Sequence, residues 1–182
     1  AQILRKEIKQ LGYNNNFTIY DQLDSRSVVK MVINELNLDI KQYIPKTYQA
    51  KISNAKNLLQ TPEIIRNLAE NVIDEKFAEI YDKYQQTLKK NNCLDFDDLI
   101  ILPIDLFEKF PNKLEYYQKK FQYVLVDEYQ DTNKPQFEFL HAISSKHKDI
   151  FVVGDDDQSI YGWRGAEVKN ILNFFLDLIV IV

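Results

Sequence analysis

Two short apolar runs, Tyr123-Val124-Leu125-Val126 and Ile150-Phe151-Val152-Val153, constrain this chain more than any other feature. Each is too short for a helix and rich in β-branched residues, so each predicts a buried strand. Between them, residues 135–145 place Phe137, Leu140, Ala142 and Ile143 at helical spacing. Strand, helix and strand in that order form a β-α-β unit, which makes the two strands parallel. Both runs end in acid: Val126 meets Asp127-Glu128, and Val153-Gly154 meets Asp155-Asp156-Asp157-Gln158. Open parallel sheets bind ligands at the carboxyl ends of their strands. Two neighbouring strand tips loaded with carboxylates are therefore expected there, although one such run taken alone reads as a solvated turn.

Upstream the period changes to that of helices. Ile3, Leu4, Ile8 and Leu11 end at Gly12, and Leu23, Val28, Val29, Val32, Ile33 and Leu36 follow Asp21 or Asp24 as a cap. A third helix spans residues 47–59. The longest begins at Thr61-Pro62, an N-cap with proline at the first helical position, and carries one apolar stripe from Ile64 to Leu88 until Asn91-Asn92. An all-helical subdomain over residues 1–92 follows. Residues 96–109 then predict an amphipathic helix bent at Pro103. The fold expected is α/β and predominantly helical.

Charge separates the same halves. Residues 1–94 carry 14 Lys and Arg against 11 Asp and Glu, a net of +3, whereas residues 95–182 carry 9 against 16, a net of −7. The total of −4 lacks the basic excess that announces nucleic-acid binding by charge alone. One cysteine, Cys93, excludes an internal disulfide, and with only His141 and His147 a structural zinc centre has too few ligands. Cys93 reads as a small buried hydrophobe and both histidines as ordinary helix and loop residues. No apolar stretch approaches the roughly 20 residues of a bilayer span, and there is no signal-peptide core, so no membrane partner is expected. A soluble intracellular protein, cytoplasmic if bacterial, is predicted. The four glycines, Gly12, Gly154, Gly162 and Gly165, fit neither G-x-x-x-x-G-K-[ST] nor G-x-G-x-x-G.

A carboxylate at a strand tip suits a Mg²⁺ shell completed by water and phosphate oxygens, and a second acid one residue on can deprotonate a water. The segment Val124-Leu-Val-Asp-Glu-Tyr-Gln-Asp-Thr-Asn133 is followed by Val152-Val-Gly-Asp-Asp-Asp-Gln-Ser-Ile-Tyr-Gly-Trp-Arg-Gly-Ala166. At that spacing the pair closely resembles motifs II and III of the UvrD/Rep/PcrA-like superfamily 1 DNA helicases. Leu94-Asp-Phe-Asp-Asp-Leu99, Ser53-Asn-Ala-Lys-Asn57 and Phe17-Thr-Ile-Tyr-Asp21 resemble the same family's accessory helical domain. The resemblance implies an ATP-dependent helicase moving 3′ to 5′ on single-stranded DNA and opening duplex at a single-strand/duplex junction, with ATP and Mg²⁺ as cofactors. It makes Asp127 the magnesium-associated carboxylate and Glu128 the catalytic base. Gln158 would sense the γ-phosphate, Tyr161 and Trp163 would stack bases, and Arg164 would join the DNA side to the nucleotide. Lys51 and Lys56 would reach DNA phosphates, if they are not simply a solvated face.

By the same resemblance, residues 1–92 are a 1B-like helical subdomain and residues 93–182 an incomplete RecA-like P-loop NTPase sheet of motor domain 1A. The phosphate-binding loop and the second motor domain would lie in the remainder of a longer chain on either side, leaving this span inactive alone. Residues 171–182, almost entirely apolar where the family has a polar loop, depart from the pattern and form an aggregation hazard if exposed. Residue by residue, blander readings exist: Trp163 as a core tryptophan, Asp155-Asp156-Asp157 as an acidic turn. A calcium loop fails for want of glycine at Ile160. Two other functions fit the residues: a catalytically inactive helicase-like binding module for nucleic acid or protein, and a metal-dependent nuclease using Asp95, Asp97, Asp98 and Asp127.

Overall fold

The structure, a computed structural model, describes residues 1–155; Gln158, Tyr161, Trp163, Arg164 and residues 171–182 lie outside the described residues. The chain divides into two units, Ala1–Leu99 and a second that begins at Ile100.

In the first unit, α1 (Gln2–Glu7) passes into a 3-10 turn that stops at Gly12. Gly12 has φ +83°, and a Cβ there would meet the Lys89 side chain only at 3.5 Å, so backbone conformation rather than space selects glycine. Helix α2 (Gln22–Glu35) is capped by Asp21, which accepts from the N–H groups of Leu23 and Asp24 at 2.7 and 2.9 Å. Asp24 supplies the return half of the box, accepting from the Asp21 N–H at 3.3 Å. Helix α3 (Pro45–Asn57) follows.

The long helix expected from Thr61 is instead two, α4 (Pro62–Asn67) and α5 (Val72–Lys90). Asn71 divides them. Its side chain accepts from the Ile73 and Asp74 N–H groups at 2.9 and 3.1 Å, and that cap demands the extended backbone it adopts. Leu68 and Val72, counted in one stripe by periodicity, are accordingly exposed.

Val28, Val29, Val32 and Ile33 of α2, with Tyr48, Ile52 and Ala55 of α3 and Ile80, Tyr81, Tyr84 and Leu88 of α5, form one core. Each large side chain buried there contributes about 1.5 to 3 kcal/mol. The all-helical reading needs a correction: β1 (Thr18–Ile19) pairs in parallel with β2 (Cys93–Leu94), Thr18 opposite Cys93 and Ile19 opposite Leu94. Two residues are too few to show an alternating pattern in sequence.

Helix α6 (Asp98–Lys109) leads into the second unit with Pro103 inside it, and α7 (Pro111–Lys120) follows. Periodicity did not announce α7, which starts on a proline at its first position and carries a Glu115–Lys119 pair at 3.0 Å. The β-α-β unit is present: β3 (Val124–Val126), α8 (Lys134–Ser144) and β4 (Ile150–Val152), with β3 and β4 parallel and Val124, Leu125 and Val126 opposite Ile150, Phe151 and Val152. Asn133 and Gln136 form a capping box at the start of α8. Gln118 of α7 donates to the Ala142 carbonyl at 2.8 Å and the Ser145 hydroxyl at 3.1 Å, fixing α7 on the end of α8.

The expectation of fully buried strands holds for one face. Val124 and Ile150 are buried, while Leu125 and Phe151 are 79% and 48% exposed among the described residues. Predominantly helical structure with short parallel ladders is thus what the described residues contain. None of their helices is long and apolar enough to cross a membrane.

Candidate active site

The acids arrive where β3 stops. Val126 is the last strand residue, and Asp127 and Glu128 follow it immediately, both exposed. Glu128 has φ +53° and ψ +42°, a left-handed conformation that costs a non-glycine residue on the order of 1 kcal/mol or more. Past that residue Tyr129 and Gln130 are buried, while the two carboxylates stay at the surface. A 3-10 turn over Tyr129–Asp131 and the Thr132 hydroxyl, donating to the Tyr129 carbonyl at 2.7 Å, then hand the chain to α8.

Hydrogen bonds knit the tips of the two strands together. The Val153 N–H donates to the Val126 carbonyl at 2.8 Å and the Tyr129 N–H to the Val153 carbonyl at 2.9 Å, extending the ladder past both strands. Asp127 Oδ1 accepts from the Glu128 N–H at 2.9 Å. Gln130 Nε2 donates to Glu128 Oε2 at 2.6 Å, and Gln130 Oε1 accepts from the Asp155 N–H at 2.9 Å. A pocket of about 380 Å³ opens beside the turn, lined by Asp127, Glu128 and Asp131 and by the apolar Val126, Phe139 and Leu140. Asp131 Oδ1 is buried there with no hydrogen-bond partner among the described residues.

The donor set tests what this pocket could hold. Among the described residues no three His, Cys, Asp or Glu side chains cluster closely enough to hold a metal ion by themselves. The described residues therefore give the nuclease reading no support. A hard cation that keeps its waters and takes its remaining ligands from phosphate oxygens needs only one protein carboxylate, and exposed Asp127 fits that requirement.

Lys56 is elsewhere, and its expected contact with DNA phosphate is corrected by its burial. It is 1% exposed inside the first unit, with Nζ at 2.6 Å from Asp95 Oδ2 and 2.7 Å from Asp98 Oδ1. An ammonium neutralised by two buried carboxylates cannot reach a phosphate. Tyr84 donates its hydroxyl to the same Asp95 oxygen at 2.9 Å. Burial alone would discharge Lys56, but Asp98 and Asp95 outweigh it and hold the ammonium well above the usual lysine range. Burial also acts to raise Asp95, which Lys56 overrides, holding it below the usual carboxylate range. Burial pushes Asp98 up to about 6. Lys51 remains on the surface, its ammonium 5.2 Å from the Tyr48 ring. Cys93 is buried, as its type suggests.

Two site features were not legible as such: the Lys56–Asp95–Asp98 cluster and the Gln130 bridge. The only sequence signal for the first is a lysine and an Asp-x-x-Asp pair far apart in the chain. For the second, it is a carboxamide two residues beyond Glu128. Gln158, Tyr161, Trp163 and Arg164 are placed by sequence alone.

The chain matches the profile of the UvrD/REP helicase N-terminal domain over residues 1–178, and it belongs to that family. It is 49% identical over 174 residues to the ATP-dependent DNA helicase PcrA of Staphylococcus epidermidis, covering 96% of this chain and 24% of that protein. The ATP-dependent DNA helicase PcrA of Staphylococcus aureus is likewise 49% identical, over 177 residues and 97% of this chain. The chain spans about a quarter of the length of these curated relatives.

Proposed function

We propose that the chain is part of an ATP-dependent DNA helicase, the parent protein, which moves 3′ to 5′ on single-stranded DNA and opens duplex at a junction. Residues 1–92 serve as its 1B-like helical subdomain and residues 93–182 as part of a RecA-like motor domain. One observation carries the reading: Asp127 and Glu128 sit at the tip of β3, on one pocket, and Gln130 links Glu128 to Asp155, just past the parallel neighbour β4. The names of the relatives support it.

In this scheme Asp127 holds Mg²⁺, which when bound draws charge from the phosphate oxygens of ATP. Glu128 orients a water toward the γ-phosphate and accepts its proton. Gln158, three residues beyond Asp155, senses the γ-phosphate. Tyr161 and Trp163 stack bases, each worth roughly 1 to 3 kcal/mol and indifferent to sequence, and Arg164 links that strand to the nucleotide. Because Gln158 and Trp163 are close in sequence, a small shift at the phosphate moves the stacking surface.

The chain contains no G-x-x-x-x-G-K-[ST] frame, so the phosphate cradle belongs to the rest of the parent. The parent is expected to hydrolyse ATP faster with single-stranded DNA and to unwind duplexes bearing 3′ tails in preference to 5′ tails. Residues 1–182 alone are expected to do neither. Turnover by the isolated span, or a preference for 5′ tails, contradicts the proposal.

A further inference from the structure

Gln130 has no task in the chemistry proposed above, yet it is 1% exposed and makes two short bonds at the strand tips. Its Nε2 lies 2.6 Å from Glu128 Oε2 and its Oε1 lies 2.9 Å from the Asp155 nitrogen. The partners dictate how the carboxamide is turned: an ionised carboxylate only accepts and a backbone N–H only donates. Glutamine is the natural residue with donor and acceptor at this reach. Glutamate would lose the donor and set two carboxylates together, methionine would lose both bonds, and asparagine is one methylene short.

The two partners of the carboxamide lie just past different strands. Gln130 lies in the 3-10 turn after β3, and Asp155 lies on the chain leaving β4 toward Gln158. Glu128 is exposed and flexible by type, and an unrestrained glutamate carries up to about 1.5 to 2 kcal/mol of rotamer entropy. A short charge-assisted bond from a buried donor removes much of that freedom. We propose that Gln130 is a positioning residue: it holds the Glu128 carboxylate in one orientation and ties it to the Asp155 backbone. Displacement of Asp155 then turns the base. The proposal rests on the reading of Glu128 as the base of ATP hydrolysis.

In the intact parent, Gln130→Met is expected to lower the DNA-stimulated kcat by roughly tenfold to a hundredfold, with KM for ATP unchanged within about threefold. In a Glu128→Gln background the same change is expected to add nothing to the residual single-turnover rate, since there is no base left to position. Equal losses in both backgrounds, a rise in KM matching the fall in kcat, or an unchanged kcat overturn the proposal. Should Gln130→Met not fold, the native parent decides. Its experimental structure with Mg²⁺ and a non-hydrolysable ATP analogue is expected to keep Gln130 Nε2 within hydrogen-bond reach of Glu128, and a gap beyond about 4 Å overturns it. Glu128→Gln alone separates the two claims. Turnover that survives this change removes Glu128 from the base role, whereas turnover abolished by it but untouched by Gln130→Met removes only Gln130.

Discussion

Lys56 shows how far a single residue's task can lie from what its charge suggests. Its ammonium is buried against Asp95 and Asp98, so removing it strands two carboxylates in the core. Breaking one side of such a group costs about 3 to 5 kcal/mol. Lys56→Met, which keeps the apolar stem, is expected to lower unfolding stability in urea by that amount, and a loss below about 1 kcal/mol contradicts the cluster. Asp98 adds a pH dependence of definite sign. Its folded pKa is raised to about 6, so its contribution is fully present below the usual carboxylate range and is lost as pH rises through about 6. Lys56 is raised and Asp95 lowered, which places their own titrations outside that window. The stability of the native protein relative to Asp98→Asn should therefore fall between about pH 4 and pH 7 in thermal melts, and a difference that is flat or rises with pH contradicts it. Nothing in the order of residues distinguishes Lys56 from exposed Lys51, because burial of a charge depends on partners 39 and 42 positions away. Asp127 and Glu128 are legible for the opposite reason: their place is set by the three-residue strand directly before them.

At the scale of elements, capping chemistry decides where periodicity misleads. The apolar stripe from Ile64 to Leu88 runs across Asn71, yet Asn71 satisfies two amide groups of the first turn of α5 and so begins a new helix. Asn71→Ala is expected to cost about 1 kcal/mol of stability by chemical denaturation, and no change contradicts the division at that residue. Asp21 with Asp24 is the converse case, a cap visible in sequence and present in the structure. The β-α-β unit was legible because its two strands share a β-branched apolar pattern and flank a helical period. The β1–β2 ladder was not, since its pairing depends on two dipeptides that the whole first unit brings together. Exposure of Leu125 and Phe151 also escaped notice: a short apolar run does not say which of its two faces is covered.

At the scale of the molecule, each unit has its own contents. The first unit holds a helical core and the buried Lys56–Asp95–Asp98 cluster. The second holds a parallel strand pair whose acidic tips line a pocket. With net charge +3 over residues 1–94 and −7 over residues 95–182, DNA affinity from this span alone is expected to be weak and steeply salt-dependent. Titration of a fluorescent single strand at low salt should show at best micromolar binding, and Trp163→Ala should remove it; an unchanged curve contradicts base stacking on Trp163. The most direct measurement concerns Glu128 in the intact parent. Glu128→Gln keeps shape and removes the proton acceptor, so DNA-stimulated ATP turnover is expected to fall by at least about a hundredfold while ATP and single-stranded DNA still bind. Turnover close to that of the unaltered protein would contradict the assignment of hydrolysis to the tip of β3.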